Sequence, residues 1–108
     1  MDAKQLKEAK KYLISKSEGE SIIKDLEEFV EATKKKYGKK VESSFGISAS
    51  IMCITENETI GEHAYGSGSD ATFERIALHA VIALAEKDKN RSVVDVCAQL
   101  AANAMMQQ

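Results

Sequence analysis

The sequence predicts an α+β fold, a small antiparallel sheet (β-hairpin) packed on Ala-rich helices in the order α-α-β-β-α-α. Three observations predict it: amphipathic helical spacing before residue 39, period-two alternation from Val41 to Ile54, and an apolar helical run from Asp70 to Ala85. The 108 residues give room for a single domain over residues 1–108, with a helical pair at 1–38 and the hairpin with its two helices at 41–108.

The composition is typical of a soluble globular protein, with 44% hydrophobic and 30% charged residues. The N-terminus does not resemble a signal peptide, and no apolar run is long enough to cross a bilayer. Cys53 and Cys97 are isolated in apolar stretches, which favours reduced, buried thiols and a cytoplasmic protein. A zinc site with His63 and His79 is the alternative, but the four residues lack close ligand spacing, so no metal and no cofactor are predicted.

Two helices are predicted before residue 39. The first covers residues 2–14, with Asp2 as its N-cap. The second runs from about Glu20 to Tyr37, where Ser17 and Glu20 have capping-box spacing and Ser21 is a competing cap. Gly38 is expected to end this helix in a left-handed conformation.

Two strands follow, and their pairing stays open. The first is predicted from Val41 to Ile54, with apolar residues on odd positions and small polar residues on even ones. The second covers about Thr59 to Tyr65. A loop centred on Asn57 would place His63 with Tyr65 on the core face. A slip by one residue would instead place there a different set: Ile60, Glu62 and Ala64.

The helix from Asp70 to Ala85 is apolar on nearly every side, which predicts that it is buried. A final helix is predicted to begin at a Ser92–Asp95 capping signature and to end near Met106. Its predicted core positions are Val93, Val96, Cys97, Leu100 and Ala104.

The unequal strands predict self-association. The first strand would have fourteen residues and the second about seven, so the beginning of the first would lack a partner within the hairpin. We therefore expect a homo-oligomer, with a dimer formed through this edge and with Val41, Phe45 and Ile47 as interface candidates. In the alternative, a bulge at Gly46 bends the strand and a helix covers it.

A Gly-Ser loop joins the second strand to the apolar helix. The amides of its residues make it a candidate anion site: Gly66, Ser67, Gly68 and Ser69. The alternative is a tight turn in which Ser69 or Asp70 caps the helix. The loop has neither the lysine of a P-loop nor the glycine spacing of a dinucleotide fingerprint.

Two resemblances depend on this region. Strand, Gly-Ser loop and Ala-rich helix resemble the end of a double-stranded-RNA-binding domain, but Asp70 and Ala71 stand where that family has paired lysines. Residues 51–104 are similar to small bacterial and bacteriophage accessory proteins with a β-hairpin, a Gly-Ser turn and two apolar helices. This second resemblance implies an accessory role.

One basic cluster suggests a nucleic-acid surface. Its members, to which Arg75 is added as a further phosphate contact, are Lys34, Lys35, Lys36, Lys39 and Lys40. The alternative is a solvated helix end, because residues 41–108 carry nine acidic residues against four basic ones.

No catalytic triad with a recognisable local context appears in the sequence. We therefore predict a non-enzymatic, homo-oligomeric interaction or regulatory module, whose partners are itself and another protein. A weak nucleic-acid-binding protein that uses residues 34–40 is the alternative.

Overall fold

A computed structural model describes residues 2–107 and has the predicted α+β architecture, with the main elements in the predicted order. A short strand and a short helix are added to that order. The elements are α1 (Ala3–Tyr12), β1 (Ile14–Ser15), α2 (Lys16–Tyr37), α3 (Lys40–Ser44), β2 (Ile47–Ile54), β3 (Ile60–Ser67), α4 (Asp70–Lys87) and α5 (Val93–Met106).

The sheet has three strands in the order β1-β2-β3. β2 and β3 are antiparallel and pair Ile51 with His63, which corresponds to a loop centred on Asn57. β1 adds a two-residue parallel pairing at the end of β2. Of the two registers that the sequence left open, the structure thus has the one that places His63 and Tyr65 on the more covered face.

The chosen register avoids burying a carboxylate. Glu62 lies on the exposed face, where its carboxylate accepts a hydrogen bond of 2.9 Å from the Ser50 hydroxyl. The slipped register would turn this carboxylate towards the core, where burial of an unpaired charge costs on the order of several kcal/mol. Register is therefore fixed by one acidic residue as much as by the apolar ones.

α2 covers the sheet and supplies its core. Val30 of α2 and Cys53 of β2 are both buried, which confirms the prediction for this cysteine. Gly19 is also buried, and a Cβ there would lie 3.0 Å from the His63 ring. The absence of a side chain at Gly19 thus allows the beginning of α2 to lie directly against β3.

Helix ends follow local chemistry. Asp2 caps α1 and Gly38 ends α2, both as predicted. Gly38 has φ of 80° but ψ of −170°, which is not the left-handed helical conformation that the sequence predicted. The capping box of α2, however, is Ser15 with Glu18, two residues before the predicted one. Ser15 and Ser17 each have a glutamate three residues later, so the sequence alone offers two equivalent starts.

The prediction that the first strand begins at Val41 is wrong. Val41 lies in α3, Phe45 is the C-cap of that helix, and Phe45 N–H donates to the Val41 carbonyl at 2.8 Å. Ile47 begins β2. β2 and β3 have eight residues each and pair along their whole length, which removes the argument for dimerisation through an unpaired strand half. Phe45 and Gly46 connect α3 to β2 instead, and Thr72 of α4 lies against Gly46.

The prediction that the helix from Asp70 is buried is also wrong for the single chain. None of the residues described for α4 is buried. This helix packs on α5, α3 and β2, while the sheet's apolar face is covered by α2. Cys97 of α5, predicted to be buried, is exposed.

Candidate functional site

The candidate site is the helical hairpin of α4 and α5, which we call the open hairpin (residues 70–106). Each of its helices begins at a serine cap: Ser69 Oγ accepts from Thr72 N–H, and Ser92 Oγ accepts from Asp95 N–H. α5 packs chiefly on α4. Local sequence signals therefore fix where both helices begin. Most of the surface of the helix pair is not covered by the rest of the chain.

Core-type residues of the open hairpin face outward. In α5, the residues at helical spacing were predicted as a core stripe, yet only Val96 is buried, with 0% exposure. Leu100 on the same stripe is 41% exposed and Leu78 of α4 is 45% exposed. The largest apolar side chains that the open hairpin exposes are Leu78, Ile82, Leu84, Val93, Val94, Leu100, Met105 and Met106.

The surface area of the chain is too large for a compact monomer. The chain exposes 8430 Å², whereas a compact protein of 11.8 kDa exposes about 5,900 Å². The radius of gyration is 16.8 Å, against about 13 Å for a compact chain of this length. The open hairpin, in which only Val96 is buried, contributes to the excess of surface.

The middle of the open hairpin carries almost no charge. Residues 76–85 of α4 and 96–106 of α5 contain no Asp, Glu, Lys or Arg. Charged residues lie instead at the helix ends, where Asp95 closes the cap of α5. A large, uncharged and apolar surface of this kind is typical of the buried centre of a protein–protein interface.

The cap of α5 should make this helix sensitive to acid. Ser92 N–H donates to the Asp95 carboxylate at 3.1 Å, and this backbone hydrogen bond, with a second contribution from the Ser92 side chain, lowers the pKa of Asp95. The stabilisation from the ionised carboxylate is therefore complete above the unfolded-state pKa of Asp95 and is lost as pH falls through its lower folded-state pKa.

We expect the far-ultraviolet circular dichroism of the native chain to lose helical signal in this acidic range. Asp95→Asn keeps the size of the side chain but removes its titration, so this component should be absent from its acid titration curve. An unchanged curve in Asp95→Asn would show that other carboxylates control the acid response.

The Gly-Ser loop has a structural task in the fold. Ser69 caps α4, which agrees with the predicted alternative of a turn that caps this helix. The Thr72 hydroxyl donates to the Ser69 carbonyl at 2.8 Å. Gly68 has φ of 147°, and a Cβ there would meet Thr72 and Gly46. Gly66 lies under the Phe73 ring. Anion binding by Gly66, Ser67, Gly68 and Ser69 stays a prediction.

The basic cluster is divided among several environments. Lys34 lies 3.8 Å from Glu31 and 3.9 Å from Glu42, and it lines a cavity of about 220 Å³ with Ser67 and Gly68. Lys36 lies over the Tyr37 ring, 5.2 Å from its centroid. The other members lie nearby: Lys35 in the last turn of α2, Lys39 at the N-cap of α3 and Lys40 at its first residue.

Arg75 lies apart from the lysines in a shallow groove of about 410 Å³ between α3 and α4. His79 lines the same groove, together with Ser43 and Ser44. Arg75 and His79 of α4 thus face a groove, but none of the five lysines contributes to its lining. Nucleic-acid binding by residues 34–40 and Arg75 stays a prediction.

The interface candidates of the sequence lie inside the fold of one chain. Phe45 packs edge-on against Phe29, with 6.3 Å between the ring centroids. Val41 and Phe45 line the cavity of about 220 Å³ beside Lys34. Ile47 is half-buried at the start of β2. The residues with the larger exposed apolar area are those of the open hairpin, which the sequence marked as core.

Two findings for residues 2–107 concern clusters of metal ligands and the crossing of a bilayer. Within this range no three His, Cys, Asp or Glu side chains cluster closely enough to hold a metal ion. No helix in the described part of the chain combines the length and the apolar character that a bilayer crossing requires.

No protein-family model, curated protein or solved structure matches this chain. The two resemblances therefore stay predictions, and the functional conclusion rests on the molecule's own residues.

Proposed function

We propose that this chain is a non-enzymatic protein-interaction module and that the open hairpin is its working surface. The observation that carries this proposal is the excess of about 2,500 Å² over the surface of a compact monomer, in a chain whose α4 and α5 are uncharged at their centres. The partner is a protein surface that is helical, apolar and free of charge at its centre. An accessory or regulatory role fits such a module.

Energetics support this reading. Exposed apolar surface costs about 25 cal/mol for each Å² that could be covered. Monomeric soluble proteins rarely expose a contiguous apolar patch larger than a few hundred Å² (~), and larger patches usually mark interaction sites. Leu78, Val94 and Leu100 gain from being covered, since they are apolar side chains exposed on helices.

The nucleic-acid alternative has weaker support. Nucleic-acid backbones are bound by free cationic side chains on one surface. Lys34 already lies near two carboxylates, and Arg75 lies in a separate groove. Binding of a labelled oligonucleotide that falls steeply with salt, and that is lost when Lys35, Lys36, Lys39 and Lys40 are replaced by Glu, would favour this alternative.

Site-specific photo-crosslinking in the source cell tests the proposed function. A photoreactive amino acid is placed at Leu78 or Val94 in the open hairpin and, as matched controls, at the exposed positions Lys24 and Glu56. We expect a protein adduct from the two hairpin positions and little from the controls, whatever the partner is. Absence of an adduct at Leu78 and Val94, or equal yields at all four positions, would overturn the proposal.

A further inference from the structure

We infer that the partner of the open hairpin is a second copy of this chain, whose own α4 and α5 complete a four-helix arrangement. This inference rests on the proposed function, because it concerns the same surface. It replaces the predicted dimer through the sheet edge, whose unpaired strand half does not exist in the structure.

The exposed area matches what a stable dimer needs. Two chains together expose about 5,000 Å² more than two compact monomers of 11.8 kDa would. Interfaces of obligate homodimers bury about 2,000–5,000 Å² in total and are more apolar than those of transient complexes. This excess belongs to the whole chain, which also exposes Tyr12, Phe29 and Tyr37. A reciprocal interface on the open hairpin covers the part of it that α4 and α5 supply.

The distribution of charge favours a second copy. Two identical surfaces repel each other when they carry net charge, but residues 76–85 and 96–106 contain no Asp, Glu, Lys or Arg. The same absence gives an oppositely charged partner nothing to pair with at the centre of the surface. Self-complementarity through apolar contact is thus the recognition that this surface supports best.

The number of helices points to the same arrangement. Two packed helices bury one seam between them, and here that seam buries only Val96 among the residues of α4 and α5. Four helices are the usual number that encloses a core between them. A second copy, related by a two-fold axis, supplies two more helices and can cover the stripe of Val93, Cys97 and Leu100.

An exposed apolar residue outside the open hairpin provides a control. Met52 lies on the open face of the sheet and is 54% exposed, a fraction similar to those of Leu78 and Leu100. The same substitution at Met52 therefore tests whether any exposed apolar residue matters or only those of the open hairpin.

The first experiment measures mass by native mass spectrometry and by sedimentation equilibrium. We expect the wild-type chain to have twice the monomer mass of 11.8 kDa. Leu78→Glu and Leu100→Glu each place two carboxylates in the dimer interface and should raise the dimer dissociation constant at least ~100-fold. Met52→Glu should leave it within about threefold of the wild-type value.

The second measurement needs no substitution and covers the case in which a hairpin variant fails to fold. Cys97 is exposed in the single chain and shares its stripe with Leu100, whereas Cys53 is buried. We expect alkylation of wild-type Cys97 by iodoacetamide to slow at least ~10-fold as the protein concentration rises through the dimer dissociation constant. Cys53 should react slowly at every concentration.

The outcomes separate the two proposals. A monomeric wild-type chain, or a dimer that only Met52→Glu disrupts, or a rate of Cys97 alkylation that is independent of concentration, overturns the inference of a second copy. A monomer that still gives hairpin adducts with a different protein in the source cell overturns that inference but supports the proposed function. If the purified chain is a dimer but the hairpin positions give no adduct in the cell, the proposed function is overturned.

Discussion

Replacing Gly68 with alanine is expected to lower the free energy of unfolding by about 3 kcal/mol, through backbone strain and overpacking together. Gly68 has φ of 147°, a conformation that residues with a Cβ rarely adopt. A Cβ there would collide with Thr72 Oγ1 and would lie 2.9 Å from the Gly46 Cα. The chain must therefore shift where α4 meets the segment that precedes β2. Urea unfolding followed by circular dichroism measures the change.

Gly38→Ala is the matched control, because it separates backbone conformation from packing. Gly38 also has positive φ, at 80°, but a Cβ there would meet nothing within 4 Å. This variant should lose only the conformational part, about 1 kcal/mol. Equal losses in the two variants would show that contact between Gly46, Gly68 and Thr72 contributes little to stability.

Gly19→Leu is expected to lower the free energy of unfolding by more than about 3 kcal/mol. This loss is expected although leucine has the more favourable helix propensity, by roughly 1 kcal/mol. A Cβ at Gly19 would lie 3.0 Å from His63 Cδ2 and 3.5 Å from Ile51 Cγ2, so a larger side chain must push α2 off the sheet. Ser21→Leu, at an exposed position of the same helix, should change stability by less than ~0.5 kcal/mol. Thermal and urea unfolding measure both variants.

A double-mutant cycle identifies the cause of the loss at Gly19. His63→Ala removes the ring that the new side chain meets, so the Gly19→Leu/His63→Ala chain should recover at least about 1 kcal/mol relative to the sum of the single variants. The Nε2 of His63 is buried and has no hydrogen-bond partner among residues 2–107, so removing the ring leaves no donor unpaired. If the losses of the two single variants simply add in the double variant, the cause lies in α2 itself and not in its contact with His63.

Signals confined to a few neighbouring residues predicted much of the fold. Asp2, Gly38 and the Ser92–Asp95 pair mark helix ends in the sequence and do so in the structure. Such caps depend on residues within one turn, so no distant contact has to be known. The same holds for the alternation along Ile47–Ile54.

Ambiguous spacing explains the errors around residue 41. Val41 and Phe45 are four residues apart, which suits both a strand face and a helix face, and the backbone closes a helical turn there. Ser15 and Ser17 gave a similar ambiguity at the start of α2. The register of β3, by contrast, could have been chosen from Glu62, since only one of the two options keeps its carboxylate in water.

The error about α4 concerns which molecule covers a surface. An apolar helix such as the one around Leu78 and Ile82 indicates that its surface should be covered, since exposure is costly. It does not indicate whether the cover comes from the same chain or from another. The apolar helical spacing of α5 therefore identified the residues of the candidate site, but we predicted them to lie in the core of the chain and they lie on its surface.

Because α5 packs chiefly on α4, we expect this helix to open locally without unfolding of α2 and the sheet. In a single chain, α5 can detach and refold while α2 and the sheet stay intact, because the contacts that hold Val30 and Cys53 lie elsewhere. Amide hydrogens of α5 would then exchange with solvent through local opening, and those of β2 only through global unfolding. A single free energy of unfolding would then not describe hydrogen exchange in this protein, because α5 opens at a lower free energy than β2.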